Sequence, residues 1–468
     1  MSKEKESKGL NISTKSFIVA IAIIFILMLL TYVLTFIVPG GEYDRILDDN
    51  GNLIIDPNGE FKYVDGGLPF WKWILSPFLV LGAEGSSTII AVIAFLLIIG
   101  GVFNSLNKCG LMNYMLDKIV YKFKDVKYKL MGILIFFFMA MGSLVGSFEE
   151  VVPMAPIVVA LSIAMGWDSV TGLAMSLLAA GCGFAAGVAN PFTIGVAQGL
   201  AGLPMFSGIW LRLCSFILIY LLLFFFLMGH AKKVEKNSLA SAVESHFEYN
   251  KKQDKALITF VSILGFGILL VLSSSFITIL QDYTMIIVAL MFLVSGIISV
   301  KVSGMSGKDL RKTFIDGLLS ISPSVLMILM ASSIKYTMVE SKILDTALHG
   351  AVDIASNMPK AELIIFIYLI CLIMNFFIPS GSAKAFLLIP LIVPLAQIFG
   401  VSAQLCIVAF AFGDGFSNVF YPTNPALLIT LGLSDVSYGK WAKFSWKFQA
   451  LNLLLTSGIL LLGLAVGY

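Results

Sequence analysis

The segments Gly187-Val188-Ala189-Asn190-Pro191 and Tyr421-Pro422-Thr423-Asn424-Pro425 place the same Asn-Pro pair at two positions 234 residues apart. Each lies inside a long apolar stretch. Proline removes a helix hydrogen bond and disfavours the helical conformation of the residue before it. Each pair is therefore predicted to interrupt a helix. The same offset aligns further identical residues, matching Pro156, Val159, Leu161, Gly166 and Gly181 with Pro390, Val393, Leu395, Gly400 and Gly415. The pattern predicts an internal repeat with one broken helix in each copy.

The composition points to a membrane environment. Only 13% of the 468 residues are charged and 58% are hydrophobic, whereas a soluble domain carries about 25% charged residues. Apolar blocks at 16–38, 88–103, 210–228 and 257–280 are long enough to cross a hydrocarbon core of about 30 Å as helices. The sequence therefore predicts an all-α polytopic membrane protein and excludes a soluble enzyme, a nucleic-acid binder and a disordered chain.

Loop charges predict the topology, because an excess of lysine and arginine marks the cytoplasmic side. The N-terminal tail and the segments 108–129, 230–255 and 301–312 carry a basic excess, while the loop 39–69 holds seven acidic residues against Arg45 and Lys62. Two consecutive cytoplasmic anchors near 129 and 230 require an even number of crossings between them. One segment there must enter the membrane and return. We expect an inner-membrane protein with about nine crossings, its N-terminus inside and its C-terminus outside.

The two copies are predicted to be inverted. The first copy starts from the basic segment 118–129, whereas the second starts from 340–360, which lacks a basic excess. We expect a re-entrant hairpin at 129–166 with its tip at 146–150, and a second at 361–400 with its tip at 379–384. Inverted repeats with discontinuous helices are typical of secondary transporters.

Four ionisable residues lie in the cores of the two copies: Glu149, Glu150, Lys384 and Asp414. Ionisable groups inside a membrane usually face a cavity or a partner. The 234-residue offset sets Glu150 opposite Lys384. A carboxylate and an ammonium at one site suit a zwitterion, and the acidic excess favours a basic amino acid. The alternative is a structural ion pair between Glu150 and Lys384. Asp414 is equally a candidate proton or sodium site.

Uncharged polar residues complete the predicted substrate site. Asn190 and Asn424 are expected to line it or to cap the half-helices beside it, and both are also candidates for binding a coupling ion. Hydroxyl groups near the hairpin tips and helix breaks are further candidates, namely Ser147, Ser380, Ser382, Thr193 and Thr423.

No metal site, catalytic group or cofactor is expected. The five cysteines form no CxxC pair, and His230, His246 and His349 lie in predicted loops or amphipathic arms. A membrane-embedded enzyme would need a Ser/His, paired-Asp or HExxH constellation within the bilayer. The only ions expected are Na+ or H+ as coupling ions.

Three stretches resemble a known family: Glu149-Glu150-Val151-Val152-Pro153-Met154-Ala155-Pro156, then residues 183–193 with the first Asn-Pro pair, and Val38-Pro39-Gly40-Gly41-Glu42-Tyr43. They are similar to the YfcC branch of the DcuC-type carriers in the ion transporter superfamily. The resemblance implies a homodimer and an elevator mechanism, with a transport domain of both hairpins and both broken helices. In related sodium–dicarboxylate carriers the tips carry Ser-Asn-Thr, from which Ser147-Phe148-Glu149 and Ser380-Gly381-Ser382 depart.

With this resemblance the chain divides into five segments. They are scaffold helices and an interfacial arm at 1–128, the first half of the transport domain at 129–229, a cytoplasmic loop at 230–255, scaffold helices and a second arm at 256–360, and the second transport half at 361–468.

The favoured function is secondary active transport of a small carboxylate-bearing metabolite, most simply a basic amino acid taken up or exchanged. The alternatives are a C4-dicarboxylate carrier coupled to sodium or protons, or an exchanger, and then a channel. The expected partners are the small-molecule substrate, the lipid bilayer and a second copy of the chain, without nucleic acid.

Overall fold

Helices build almost all of the computed structural model, which describes residues 14–47, 53–56, 59–83, 86–146, 148, 151–237, 248–274, 284–355 and 358–468. The first half contains α1 (Thr14–Ile37), α2 (Phe70–Leu79), α3 (Ser86–Lys108), α4 (Leu111–Phe123), α5 (Lys127–Ala140), α6 (Ala155–Ala164), α7 (Ser169–Leu173), α8 (Ala179–Ala186), α9 (Val196–Leu200) and α10 (Ile209–Asn237). Single π-helical segments extend α5 (Met141–Val145), join α7 to α8 (Ala174–Leu178) and precede α9 (Pro191–Gly195).

The described part of the second half contains ten helices: α11 (Lys251–Ser274), α12 (Thr284–Val302), α13 (Gly307–Ile321), α14 (Pro323–Glu340), α15 (Ile343–Ala355), α16 (Lys360–Phe377), α17 (Gly381–Ile398), α18 (Ala403–Asn418), α19 (Pro425–Leu433) and α20 (Tyr438–Ala465).

The helix bounds recur at the offset found in the sequence. Shifted by 234 residues, α3 would span 320–342, and α14 covers Pro323–Glu340. The stretch from Ser169 to Ala186 would fall on 403–420, and α18 covers Ala403–Asn418. The repeated order of elements agrees with the internal repeat, while the inverted orientation of the copies stays a prediction.

Eight helical stretches of the described chain are long and apolar enough to cross a membrane: Ile89–Lys108, Lys127–Val145, Ser169–Leu200, Ile209–Lys236, Gly307–Glu340, Lys360–Phe377, Gly381–Ile398 and Tyr438–Ala465. Large apolar side chains such as Phe36 and Leu454 are more than two-thirds exposed, which suits a lipid-facing surface. The protein is a multi-pass membrane protein. The predicted nine crossings, two re-entrant hairpins and orientation of the termini stay predictions.

The helices pack in two sets. Helix α3 packs against α12 and α13, and α14 packs against α1 and α2. In the other set, α18 packs against α8, α16 and α17, and α10 packs against α8 and α20. The second set contains α8 and α18, the helices that precede the two Asn-Pro pairs, while α19, which begins at Pro425, packs against α14. The predicted domain boundaries and the roles of scaffold and transport domain stay predictions.

The loop after α1 departs from an all-helical fold. It forms β1 (Gly41–Tyr43), β2 (Arg45–Leu47), β3 (Leu53–Ile55) and β4 (Phe61–Tyr63), where β1 pairs with β4 and β2 with β3, both antiparallel. The sequence predicted an acidic loop here but no strands. Its strands are held by a distant helix, because the Tyr43 amide and the Arg45 guanidinium both donate to the Asp345 carboxylate on α15.

Candidate substrate site at two helix breaks

The first break lies between α8 and α9. Helix α8 ends at Gly187, whose φ of 50° is left-handed and favours glycine. The Asn190 side chain then accepts hydrogen bonds from the amides of Phe192 (2.9 Å) and Thr193 (3.3 Å), and Pro191 occupies the first helical position. This is the N-cap arrangement that satisfies free amides at a helix start. Asn190 is fully buried, so the break lies inside the protein.

The second break lies between α18 and α19 and has the same design. Asn424 accepts a hydrogen bond from the Leu427 amide (3.3 Å), and Pro425 begins the helix. The Asn424 amide group also donates to the side-chain oxygen of Asn418 (3.0 Å), the last residue of α18. The two asparagines predicted to line the site or cap the half-helices thus do cap them.

A buried ion pair lies beside these breaks. The Lys384 ammonium on α17 donates to the Asp414 carboxylate on α18 at 2.5 Å, and both side chains are completely buried. Lys384 donates also to the side-chain oxygen of Asn375 on α16. Asn375 in turn donates to Ser417 (2.7 Å) and Asn418 (2.9 Å). A continuous polar network therefore runs from α16 and α17 to the second break.

Gly381 brings the two halves of the chain together. A Cβ atom added at Gly381 would lie 2.5 Å from the methyl group of Thr193 and 2.6 Å from Oδ2 of Asp414. Thr193 belongs to the first break, whereas Asp414 belongs to the broken helix of the second copy. Gly146, which follows the π-helical segment after α5, approaches the first break in a similar way, since a Cβ atom on Gly146 would lie 2.4 Å from Oδ1 of Asn190. Both glycines thus let the chain approach the first break closely.

Several buried polar atoms at this place have no hydrogen-bond partner among the described residues. They are Nδ2 of Asn190, Oγ1 of Thr193, Oδ2 of Asp414 and Oγ1 of Thr423. Buried polar atoms in proteins are nearly always hydrogen-bonded, so each exception requires an explanation. An amide donor and a hydroxyl group at the first break, a carboxylate acceptor beside Gly381 and a hydroxyl group at the second break are the groups that could bind a small polar solute.

The remaining predicted residues are placed as follows. Ser147, Glu149 and Glu150 lie outside the described residues. Ser380 is the exposed N-cap residue of α17, without a capping hydrogen bond from its side chain, and Ser382 is half-buried in the first turn. Lys384 has its carboxylate partner in Asp414, within its own copy of the repeat.

Sequence reasoning missed three polar residues of the network: Asn375, Ser417 and Asn418. Asn375 follows fifteen residues of α16 that contain no amide side chain and lies four residues before Pro379. A lone amide so close to a predicted hairpin tip was the available signal. Arg212 on α10 was also missed. It is fully buried and donates to the carbonyl oxygens of Val188 (3.3 Å) in the first break and Ser207 (2.9 Å).

Two capped helix breaks beside a buried ion pair, in a multi-pass membrane protein, define the chain as a membrane transporter. The chain belongs to the DcuC family, described as C4-dicarboxylate anaerobic carrier, whose model matches residues 17–465.

Relatives cover nearly the whole chain. It is 29% identical over 491 residues to "Putative basic amino acid antiporter YfcC" of Escherichia coli (strain K12), covering 96% of each chain. A Haemophilus influenzae protein without an assigned function is 24% identical over 392 residues, covering 81% of this chain and 76% of the relative. These matches agree with the resemblance to the YfcC branch seen in the sequence.

Two solved transporter structures also align. The YdaH transporter of Alcanivorax borkumensis is 17% identical with a TM-score of 0.47, over 97% of this chain and 99% of that chain. MtrF of Neisseria gonorrhoeae, described among antimetabolite efflux pumps, is 16% identical with a TM-score of 0.43, over 94% of each chain.

Proposed function

We propose that the protein is a secondary active transporter that moves a small carboxylate-bearing metabolite, most simply a basic amino acid, across the inner membrane by uptake or exchange. The observation that carries this proposal is the set of buried polar atoms at the two helix breaks that have no partner among the described residues, with the Asp414 carboxylate close to Thr193 of the first break beside Gly381. A negatively charged acceptor, Oδ2 of Asp414, and an amide donor, Nδ2 of Asn190, are among these atoms.

The chemistry of these groups suits a zwitterion. Oδ2 of Asp414 can accept from a substrate ammonium group, while Nδ2 of Asn190 can donate to a carboxylate. The amide ends of the half-helices that begin at Pro191 and Pro425 add partial positive charge for a carboxylate. In a dry site each charged group of the substrate needs such a partner. The name of the Escherichia coli relative supports a basic amino acid.

A C4-dicarboxylate is the second candidate substrate, favoured by the family's description. In that case Lys384 and the two half-helix N-termini would bind the carboxylates. Lys384 would then have to exchange its hydrogen bonds to Asp414 and Asn375 for substrate oxygens. Na+ or H+ coupling, with Asp414, Asn190 or Asn424 as ligands, belongs to the same alternative.

The mechanism we propose is an elevator within a homodimer. The helices α5–α10 and α16–α20 would move as a transport domain against α1–α3 and α11–α14, with the N-terminus inside. The packing of α18 with α8, α16 and α17 supports one mobile unit, because it joins both breaks in a single body.

Counterflow tests the substrate. Proteoliposomes loaded with unlabelled arginine or ornithine would take up labelled arginine, and vesicles loaded with succinate would be tested in parallel with labelled succinate. We expect arginine entry, reduced at least about tenfold in Asn190→Ala and Asp414→Asn. Asp309→Asn, an exposed carboxylate at the start of α13, is the matched control and should transport normally.

Succinate entry without arginine entry would overturn the amino-acid proposal and favour the dicarboxylate carrier. Entry of neither solute would reject both candidates. Glu149→Gln and Glu150→Gln variants belong in the same series, since Glu149 or Glu150 is expected to bind the ammonium group of the substrate.

A further inference from the structure

We propose that the Lys384 ammonium serves as the transporter's built-in cation at Asp414, so that the substrate site is neutralised without an inorganic coupling cation. The expected effect on flux rests on the proposed transport function. The claim that Lys384 takes the place of a cation at Asp414 does not, and protein stability tests it separately.

The surroundings of the ammonium resemble those of a bound monovalent cation. Its nitrogen contacts two side-chain oxygens, one from Asp414 and one from Asn375, and the Phe410 ring lies 6.0 Å away. Asn375 is in the last turn of α16, which ends at Phe377, where helix carbonyl groups add partial negative charge. Oxygen ligands at helix C-termini are what discontinuous membrane helices offer to cations.

The position of Lys384 in its own helix is unfavourable by itself. Helix α17 begins at Gly381, so Lys384 lies in the first turn, where the partial positive charge of the helix N-terminus opposes a cation. Complete burial adds a further penalty for the charged form. Asp414 compensates both effects, and its carboxylate is in turn neutralised by Lys384.

Only one carboxylate oxygen of Asp414 is used by this pair. Oδ1 accepts from Lys384, whereas Oδ2 lies beside Gly381 and Thr193 without a partner among the described residues. The built-in cation therefore leaves one oxygen for the solute. Removing the ammonium while keeping Asp414 would leave a buried carboxylate that a small external cation could neutralise instead.

The test is chemical rescue of Lys384→Ala, measured first as the melting temperature of the purified full-length protein, which needs no substrate. In choline chloride the variant should melt below the wild type. Sodium chloride or propylammonium chloride should raise its melting temperature, while the wild type should melt equally in all three salts. The double variant Lys384→Ala/Asp414→Asn should show no difference between the salts. Lys72→Ala removes a partly exposed ion pair with Glu340 and is the matched lysine control. Its melting temperature should be the same in all three salts.

Flux gives the second readout. Wild-type counterflow should be the same in sodium and in choline, and Lys384→Ala should lose at least about tenfold in choline and regain flux with sodium or propylammonium. Two results would overturn the inference. One is a higher melting temperature of the wild type in sodium than in choline, and the other is a folded Lys384→Ala variant whose melting temperature is the same with every cation. If Lys384→Ala does not fold, Lys384→Gln takes its place, and the wild-type comparison remains decisive. If the melting temperatures behave as expected but neither solute moves, the proposed function fails and the built-in cation stands.

Discussion

Gly415 on α18 lies against the backbone of Ala185 on α8, so closely that a Cβ atom on Gly415 would be 2.3 Å from the Ala185 nitrogen. The two broken helices therefore cross at a glycine. A contact with rigid backbone cannot be relieved by a side-chain rotation, in contrast to a contact with the end of a flexible side chain. The crossing fixes the distance between the two copies of the repeat.

Gly415→Ala should destabilise the protein by about 1–3 kcal/mol, because the added methyl group overpacks the crossing. Thermal melting in detergent measures this change. Gly458→Ala on α20 is the control, since a Cβ atom there meets no atom within 4 Å, and alanine favours a helix by roughly 0.5–1 kcal/mol. Equal melting temperatures for Gly415→Ala and the wild type would contradict the close crossing.

Gly381→Ala should impair transport. Its methyl group would meet the buried side chains of Thr193 and Asp414 at the proposed substrate site. We expect counterflow to fall at least about tenfold, together with some loss of stability, because the Asp414 carboxylate would have to move. Full transport by this variant would show that the solute does not pass Gly381.

The stability of the two small sheets in the loop after α1 is expected to depend on the ion pair of Arg45 and Asp345, which are 300 residues apart in sequence. One guanidinium nitrogen contacts both carboxylate oxygens at 2.9 and 2.7 Å, and Asp345 is nearly buried. A double-mutant cycle with Arg45→Met and Asp345→Asn should give a coupling energy of about 1–3 kcal/mol in thermal or chemical unfolding.

The ion pair between Lys62 and Asp44 is the control for that cycle. Both side chains are at least half exposed and 3.3 Å apart, and exposed pairs contribute little. Its coupling energy should be close to zero. A coupling energy for Arg45 and Asp345 no larger than that of the control pair would show that the loop is held by other contacts.

Asp168 should make stability depend on pH. Burial opposes ionisation of Asp168, but hydrogen bonds from His230 and Thr171 outweigh it and hold the carboxyl pKa below its ordinary value. Because the folded pKa is depressed, the contribution is present above the unfolded pKa of about 3.9 and is lost as the pH falls below it.

Asp168→Asn should therefore lower the free energy of unfolding by about 1 kcal/mol at pH 5, since a neutral amide replaces the carboxylate that accepts from His230 and Thr171 at a partly exposed site. The difference from the wild type should shrink by pH 3. Melting curves at pH 5, 4 and 3 measure it, with Asp309→Asn as the control for loss of a carboxylate. A difference that stays constant down to pH 3 would contradict the lowered pKa.

Local rules allowed the two helix breaks to be predicted. Asn190 and Asn424 each precede a proline, which suits the first helical position, and asparagine suits the N-cap position before it. Their side chains bond to amides two or three residues away. Such contacts depend only on neighbouring residues and can be read from the chain itself.

The ion-pair partner of Lys384 could not be predicted from neighbouring residues in the sequence. Pseudo-symmetry suggested Glu150, which lies outside the described residues, whereas the ammonium contacts Asp414 and Asn375. These side chains come from α16, α17 and α18, and only the packing of the three helices brings them within hydrogen-bond distance. The strands of the 39–69 loop were missed for the same reason, because Asp345 anchors them from α15.

The sequence by itself determined that the chain crosses a membrane repeatedly, carries a repeat at 234 residues and breaks a helix in each copy. Apolar length and proline geometry act within single segments, so neither needs a fold to be recognised. Only the tertiary structure decided that Asp414 pairs with Lys384 and that Thr193 of the first copy lies beside both Gly381 and Asp414. A buried charge takes the partner that packing places within hydrogen-bond reach, and that distance is set by how helices cross, not by their order in the chain.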